Sequence, residues 1–274
     1  EALLALARSA GSRRVESSVL SMLANLQWTA KRYDEERTTL AQLLALEREL
    51  GNRGGEVRAL IMTATVDEAT GAGDAAIAGY ESAASLAREI SDDSDLSWAL
   101  VLHADFERVR GRFEHAATLL AEADAAAKRI EEPAQQTDVD YHGAILALDR
   151  HALDDGWRLV EAAAARAEEA GDSERRGLVA GVHGELALAR GDAEEAFRRI
   201  GLALELEREI DRPDGIAWYA AFAAKVGIVR GDREFARGLM AKAKDSLPGL
   251  GSSLTGLTTR LYLANDHWLL GERD

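Results

Sequence analysis

The chain has no cysteine, so disulfide frameworks, thiolate metal sites and cysteine nucleophiles are excluded together. It has only 3 prolines in 274 residues and only 5% aromatic residues, and β-branched runs and hairpin dipeptides are scarce. That combination predicts helices rather than sheets. No apolar stretch reaches the roughly 18 residues of a membrane span, and no charged, then apolar, then small-residue leader opens the sequence. The default expectation is a cytoplasmic protein. Positive charge is also short: 33 basic residues stand against 48 acidic ones, a net charge of -15. Such a surface repels phosphate backbones and anionic lipid heads, so neither nucleic acid nor membrane is expected as a direct partner.

What is present is a period. The stretch ARGDAEEAFRRIGLALELEREI at 189–210 is matched forty residues later by VRGDREFARGLMAKAK and eighty residues earlier by VRGRFEHAATLLAEADAAAKRI. In a forty-residue register one column reads Lys31, Gly71, Gly111, His151, Gly191, Gly231, Gly271. Glycine there supplies the left-handed conformation that ends one helix and lets the next double back. Seven residues earlier stand Ala24, Ala64, Ala104, Ala144, Gly184, Ala224, Ala264, and five residues later Glu36, Ala76, Ala116, Gly156, Ala196, Ala236. Small residues flanking a turn on both sides are what two antiparallel helices in close contact require.

Further columns predict the packing stripe of the second helix. They are Leu40, Tyr80, Leu120, Val160, Ile200, Met240; then Leu43, Ala83, Ala123, Ala163, Ala203, Ala243; then Leu50, Ile90, Ile130, Ala170, Ile210, Leu250. The connectors GNRGG, SDDS, EEPAQQ, GDSE, DRPD and PGLGSS offer Asp or Ser as N-caps and Pro after a helix end. Each unit therefore reads helix, tight turn, helix, loop. At this length a single core is near its limit, so a core spread along an array is expected. Units fall near 13–52, 53–92, 93–132, 133–172, 173–212 and 213–252, with partial units at 1–12 and 253–274.

A small residue in the first helix, Gly before the turn, then Ala, a large residue and Ala on the second helix, here Gly184, Gly191, Ala196, Ile200 and Ala203, resemble the tetratricopeptide repeat along the whole chain. Pro133 and Pro213 match its closing Pro. HEAT and armadillo arrays share periods near forty, but the paired small residues across a Gly turn favour the tetratricopeptide likeness. The unit departs from the usual length of about 34 residues, and the first-helix Trp and Tyr are mostly replaced. The long unit resembles those of bacterial regulators joined to an ATPase or DNA-binding part, and of polarity and motor adaptors. The resemblance implies an all-α, right-handed α-solenoid of antiparallel helix pairs.

Residues 2–10 fall in register with a second helix, and the last segment is a first helix rich in apolar residues, Leu254, Leu257, Leu261, Tyr262, Trp268 and Leu269. A piece of a longer protein is expected, with end-to-end dimerisation through that helix as an alternative. No His stands in an HExxH-type spacing, and GAGDAAIAG and GLGSS lack the Lys of a phosphate loop. His103 and His183 share one column, which predicts a packing position with a satisfied ring nitrogen. The paired carboxylates Asp92-Asp93, Asp154-Asp155 and Glu168-Glu169 fall at caps, loops or outward positions. The chain is expected to be no enzyme, without cofactor or metal.

Arrays bind on the wall lined by first helices, and the resemblance places that wall on the columns of Trp98, Val101, Asp105 and Arg108, which share one helical face. The candidate groove residues are Arg58, Trp98, Val101, Asp105, Arg108, Asp138, Tyr141, Trp218 and Lys225. Trp98 and Trp218 either anchor a peptide or fill space between first helices. Asp105, Arg108, Asp138 and Tyr141 are either recognition chemistry or a solvated ion-pair patch. A clamp for acidic tails is disfavoured, because Asn25 faces Ser21 where Lys is needed. Two functions follow: a scaffold for a neutral or basic protein or peptide partner, or the sensor segment of a bacterial signalling ATPase or transcription regulator.

Overall fold

The computed structural model describes residues 2–250 and 254–271, apart from the side chains of 246, 248–250, 254–257 and 268. The expectations for Leu254, Leu257 and Trp268, and for Leu250 as a core residue, lie outside the described side chains. Two compact units make up the chain, residues 1–135 and 136–274. The first holds α1 (Ala2–Ser9), α2 (Arg13–Thr29), α3 (Tyr33–Leu50), α4 (Arg53–Ala69), α5 (Gly73–Ile90), α6 (Asp93–Val109), α7 (Phe113–Ile130) and the start of α8 (Pro133–Asp149). The second holds the rest of α8, then α9 (Leu153–Ala170), α10 (Ser173–Ala189), α11 (Ala193–Glu209), α12 (Pro213–Val229), α13 (Arg233–Leu250) and α14 (Leu254–Leu270). Among the described residues there is no strand, and no helix is long and apolar enough to cross a membrane.

Among the described residues the chain reverses by one device. Lys31, Gly71, Gly111, His151, Gly191, Gly231 and Gly271 all have φ between 56° and 85°. A second register twenty residues away does the same: Gly11, Gly51, Ser91, Glu131, Gly171 and Asp211 have φ between 53° and 66°. After α6 the Gly111 N–H donates to the Arg108 carbonyl at 2.9 Å and the Arg112 N–H to the Glu107 carbonyl at 2.8 Å. These are the paired bonds of a helix end closed by a left-handed residue. The next helix is often capped at once: the Asn52, Asp92 and Asp172 side chains accept from the backbone N–H groups of Gly55, Asp95 and Arg175. Pro133 and Pro213 open α8 and α12 rather than closing the helix before them, which suits a residue lacking an N–H.

Second helices such as α5, α7 and α9 bury one stripe of mostly Ala with one or two large residues. First helices are covered on several sides: α6 packs on its partner α7, on the preceding α5 and beside α4. The small columns are buried from Ala24 to Ala224 and from Glu36 to Ala236, while Ala264 is exposed. The Leu40, Tyr80, Leu120, Val160, Ile200, Met240 column is buried as well. The column of Leu50 is not core. Leu50 is 37% exposed, Ala170 is exposed, and Ile90, Ile130 and Ile210 are only half-buried, because they sit in the last turn, past the neighbouring helix. On α14, Leu261 and Leu269 are exposed and Tyr262 half-buried.

Some contacts depend on a missing Cβ. One added at Gly184 would stand 2.6 Å from the Ile200 side chain, and one at Gly181 would stand 2.4 Å from the ring of Tyr219. Tyr219 is buried there, its hydroxyl donating to the Gly177 carbonyl at 3.3 Å.

Two outcomes follow. Gly181→Ala will lower stability in urea unfolding by about 1–3 kcal/mol, because the Tyr219 ring is overpacked. His151→Gly will raise it by about 1 kcal/mol, since an exposed L residue held left-handed is relieved, a gain of about 2–4 °C in Tm by calorimetry.

Candidate partner-binding cleft

The first unit carries a cleft of about 670 Å³ on the faces of its first helices α2, α4 and α6. Ser17, Ser18, Ser21, Asn25 and Trp28 line it from α2, Arg58, Ala59, Met62 and Thr65 from α4, and Trp98 and Leu102 from α6. Behind them α3 contributes Glu36, Leu43 and Glu47. Trp28 and Trp98 are 38% and 40% exposed, and the Trp28 ring is braced by Tyr33 at 5.5 Å. Glu47 is held: Ser17 Oγ and Asn52 Nδ2 donate to its two oxygens, the latter at 2.7 Å. Glu36 is buried and its Oε2 has no hydrogen-bond partner. Burial alone pushes its carboxyl up to about 7, since the charged form loses solvation without gaining a partner.

Of the residues expected to line the groove, Arg58 and Trp98 reach this cleft. Arg58 Nη1 donates to Asp95 Oδ2 at 3.0 Å. Val101 is buried at 4% exposure, so it packs the fold and offers no surface to a partner; α6 is flanked by α4 as well as α5 and α7, which the face through 98, 101, 105 and 108 did not anticipate. Arg108 Nε donates to Asp105 Oδ1 at 2.9 Å one turn apart.

The remaining candidates belong to the second unit. Asp138 accepts from Arg175 Nε and Nη2 at 2.8 Å each, an ion pair thirty-seven residues apart, like Arg58 with Asp95. Tyr141 packs against His142 at 4.9 Å between ring centres. Trp218 is half-buried, its ring 4.6 Å from Tyr219 and 6.5 Å from Tyr262. Lys225 Nζ stands 5.8 Å over the Phe222 ring and 5.5 Å over that of Tyr262. Beside them Asp266 is fully buried, and burial pushes its carboxyl up to about 7 against the pull of Lys225.

The histidine expectation needs correction. His103 and His183 are buried as expected, but the satisfied nitrogen fails at His183, where both ring nitrogens have no hydrogen-bond partner; at His103 it is Nε2 that has none. Apolar and aromatic surroundings, with Trp157 edge-on to His183 at 4.5 Å, replace the acceptor. Desolvation pushes His183 down to about 4 and also lowers His103. His103 does lie beside Glu107, one helical turn along α6, and His115, across the turn at Gly111.

No known protein-family profile matches the chain, and no curated protein matches it in sequence. Solved structures do match in shape. The Rap conjugation gene regulator of plasmid pLS20, in complex with its Phr peptide, is 9% identical with a TM-score of 0.71, over 97% of this chain and 76% of that one. BtubC from P. vanneervenii is 16% identical with a TM-score of 0.68, over 81% of this chain and 93% of its own. A tetratricopeptide repeat protein from Parabacteroides merdae is 15% identical with a TM-score of 0.61, over 95% and 90%. The fold is a tetratricopeptide-like all-α solenoid. In this TPR-like array, then, the cleft lies on the first-helix faces of the first unit, floored by Glu36.

Glu36 sets a pH dependence. Its folded-state pKa is raised, so the folded form binds more protons than the unfolded chain between about 4.5 and 7, and stability is lost as pH rises through that window. Glu36→Gln will therefore raise Tm over wild type at pH 8, with the difference shrinking towards zero at pH 4.5. An equal difference at both pH values would show that the carboxyl is not the cause.

Proposed function

We propose that the chain is a non-catalytic protein-interaction scaffold that takes a peptide or helix in the cleft of its first unit. The observation that carries this is the pair of part-exposed tryptophans, Trp28 and Trp98, borne by α2 and α6 on either side of α4 and over a floor of carboxyl groups. Aromatic surfaces of this kind are the usual anchors of a protein contact, and the serines, Asn25 and Thr65 between them supply hydrogen-bonding groups for a backbone. Glu36, Glu47 and the net charge of -15 favour a neutral or basic partner. Arg58 and Trp98 are the contact residues retained from the sequence; Trp28, Ser21 and Asn25 join them, over the buried Glu36.

A second function is favoured by the likeness to Rap regulators, one in complex with its Phr peptide and another with Competence and Sporulation Factor. On that basis the cleft reads a signalling peptide, and the chain is the sensor segment of a bacterial signalling ATPase or transcription regulator. A nucleotide-binding or DNA-binding part in the flanking reading frame decides for this sensor.

Selection from random peptide libraries against the chain, followed by fluorescence anisotropy, tests the shared claim. Selected peptides are expected to carry an apolar anchor beside Lys or Arg, and the Trp28→Ala, Trp98→Ala double variant, folded by circular dichroism, is expected to bind them about tenfold or more weakly. Equal binding by the double variant, or no enrichment at all, removes the cleft as the binding site.

A further inference from the structure

We propose that His103, Glu107 and His115 form a binding site for one borderline divalent transition-metal ion, with Zn²⁺ the leading candidate. A ring nitrogen of each histidine and a carboxylate oxygen of Glu107 lie within 4.8 Å of one another. The geometry follows from the fold. His103 and Glu107 are four residues apart on α6, so their side chains lie one above the other on the same face. The left-handed turn at Gly111 then returns the chain and sets His115, in the first turn of α7, beside them.

Two of the three are built in rather than draped on the surface. His103 is 3% exposed and Glu107 fully buried. The His103 ring is held face to face with Tyr80, centres 5.7 Å apart at 21°, and edge-on to His115 at 5.5 Å. His103 Nε2 is buried with no hydrogen-bond partner, an arrangement proteins avoid unless something else uses the atom. His115 Nδ1 stands 3.2 Å from Glu107 Oε2, close to the edge of roughly 3.4 Å expected between N and O ligands about 2.1 Å from a tetrahedral ion. The exposed His115 has room to swing and close the remaining gap.

The ligand chemistry selects the ion. Two imidazoles and one carboxylate suit Zn²⁺, Co²⁺, Ni²⁺ or Cu²⁺, whereas Mg²⁺ and Ca²⁺ require more oxygens. A fourth position remains for water.

One group opposes the ion. Arg112 Nη1 donates to both Glu107 oxygens, at 3.2 and 3.4 Å, longer than the usual 2.7–2.9 Å or so of such pairs. Its side chain is half-exposed, so the guanidinium can leave for solvent. A buried carboxylate needs one cation beside it, and Arg112 and the metal compete for that place.

The opposition gives a test with two signs. The chain, free of any histidine tag and stripped with a chelator, is titrated with Zn²⁺ by calorimetry, and with Co²⁺ while visible absorption is followed. One equivalent is expected to bind, with the strong d–d bands of four-coordinate Co²⁺. His115→Ala, exposed and harmless to the fold, should weaken Zn²⁺ binding by about 100-fold or more, and Arg112→Ala should tighten it several-fold. Absence of stoichiometric binding overturns the site, as does binding that survives His115→Ala. Binding that is unchanged or weaker in Arg112→Ala overturns the assignment of Glu107 as a ligand.

Discussion

A helix can reverse into an antiparallel partner within two residues when the residue after its last turn goes left-handed, and among the described residues this chain meets that condition every twenty positions from Gly11 to Gly231. The spacing fixes helix length at 17 or 18 residues outside α1, which fixes where each stripe of small residues faces its partner. Close helix contact then follows, because Ala or Gly sits on both arms of the turns at Gly71, Gly111, His151, Gly191 and Gly231. Glycine makes the reversal cheap, yet Lys31, Ser91, Glu131, His151 and Asp211 perform it as well. At Lys31, Ser91, His151 and Asp211 the cost is offset by the paired backbone bonds that close the helix end, a case of tertiary context overriding local preference.

Much of this was legible. The forty-residue period, the Gly turns and the small columns were readable because each is a constraint on size, and size shows in a single sequence. The second set of left-handed residues was not, because Ser91, Glu131 and Asp211 share a conformation but no chemistry with Gly51 and Gly171. The Leu50 column misled for a related reason: its residues are apolar and in register, but the last turn of a helix extends beyond what its neighbour covers. Ion pairs thirty-six to thirty-eight residues apart, Arg53 with Glu89 and Asp93 with Arg129 among them, exchange signs from unit to unit, so no column of like charge reveals them. Being largely exposed, they contribute little to stability and more to keeping one register between helices.

The site was harder to read than the scaffold. A helical face through 98, 101, 105 and 108 is correct as geometry, but coverage of α6 by three other helices narrows the part that meets solvent, which is why Trp98 is available and Val101 is not. Glu36 was visible as the one departure from a small column, and a carboxyl where the other units have Ala or Gly leaves unequal space behind the first helices. The His103, Glu107, His115 cluster straddles a turn. Its spacing of four and then eight matches no linear metal pattern, and only the fold brings it together.

The floor of the cleft is specified by pairs rather than by single columns. Glu47 and Glu207 share a column whose other members include Ala87, Ala127 and Ala167. Eight residues on, across the loop to the next first helix, stand Gly55 and Gly215 after the two glutamates, but Asp95, Gln135 and Arg175 after the three alanines. The reason is space: a Cβ at Gly55 would lie 2.5 Å from the Glu47 carboxylate, and one at Gly215 would lie 2.1 Å from that of Glu207. A buried glutamate and the glycine facing it are therefore one choice, as Ala with a larger residue is another. An array can vary what its cleft presents, unit by unit, so long as the residue across the loop changes with it, and the small-residue columns that hold the helices together need not move.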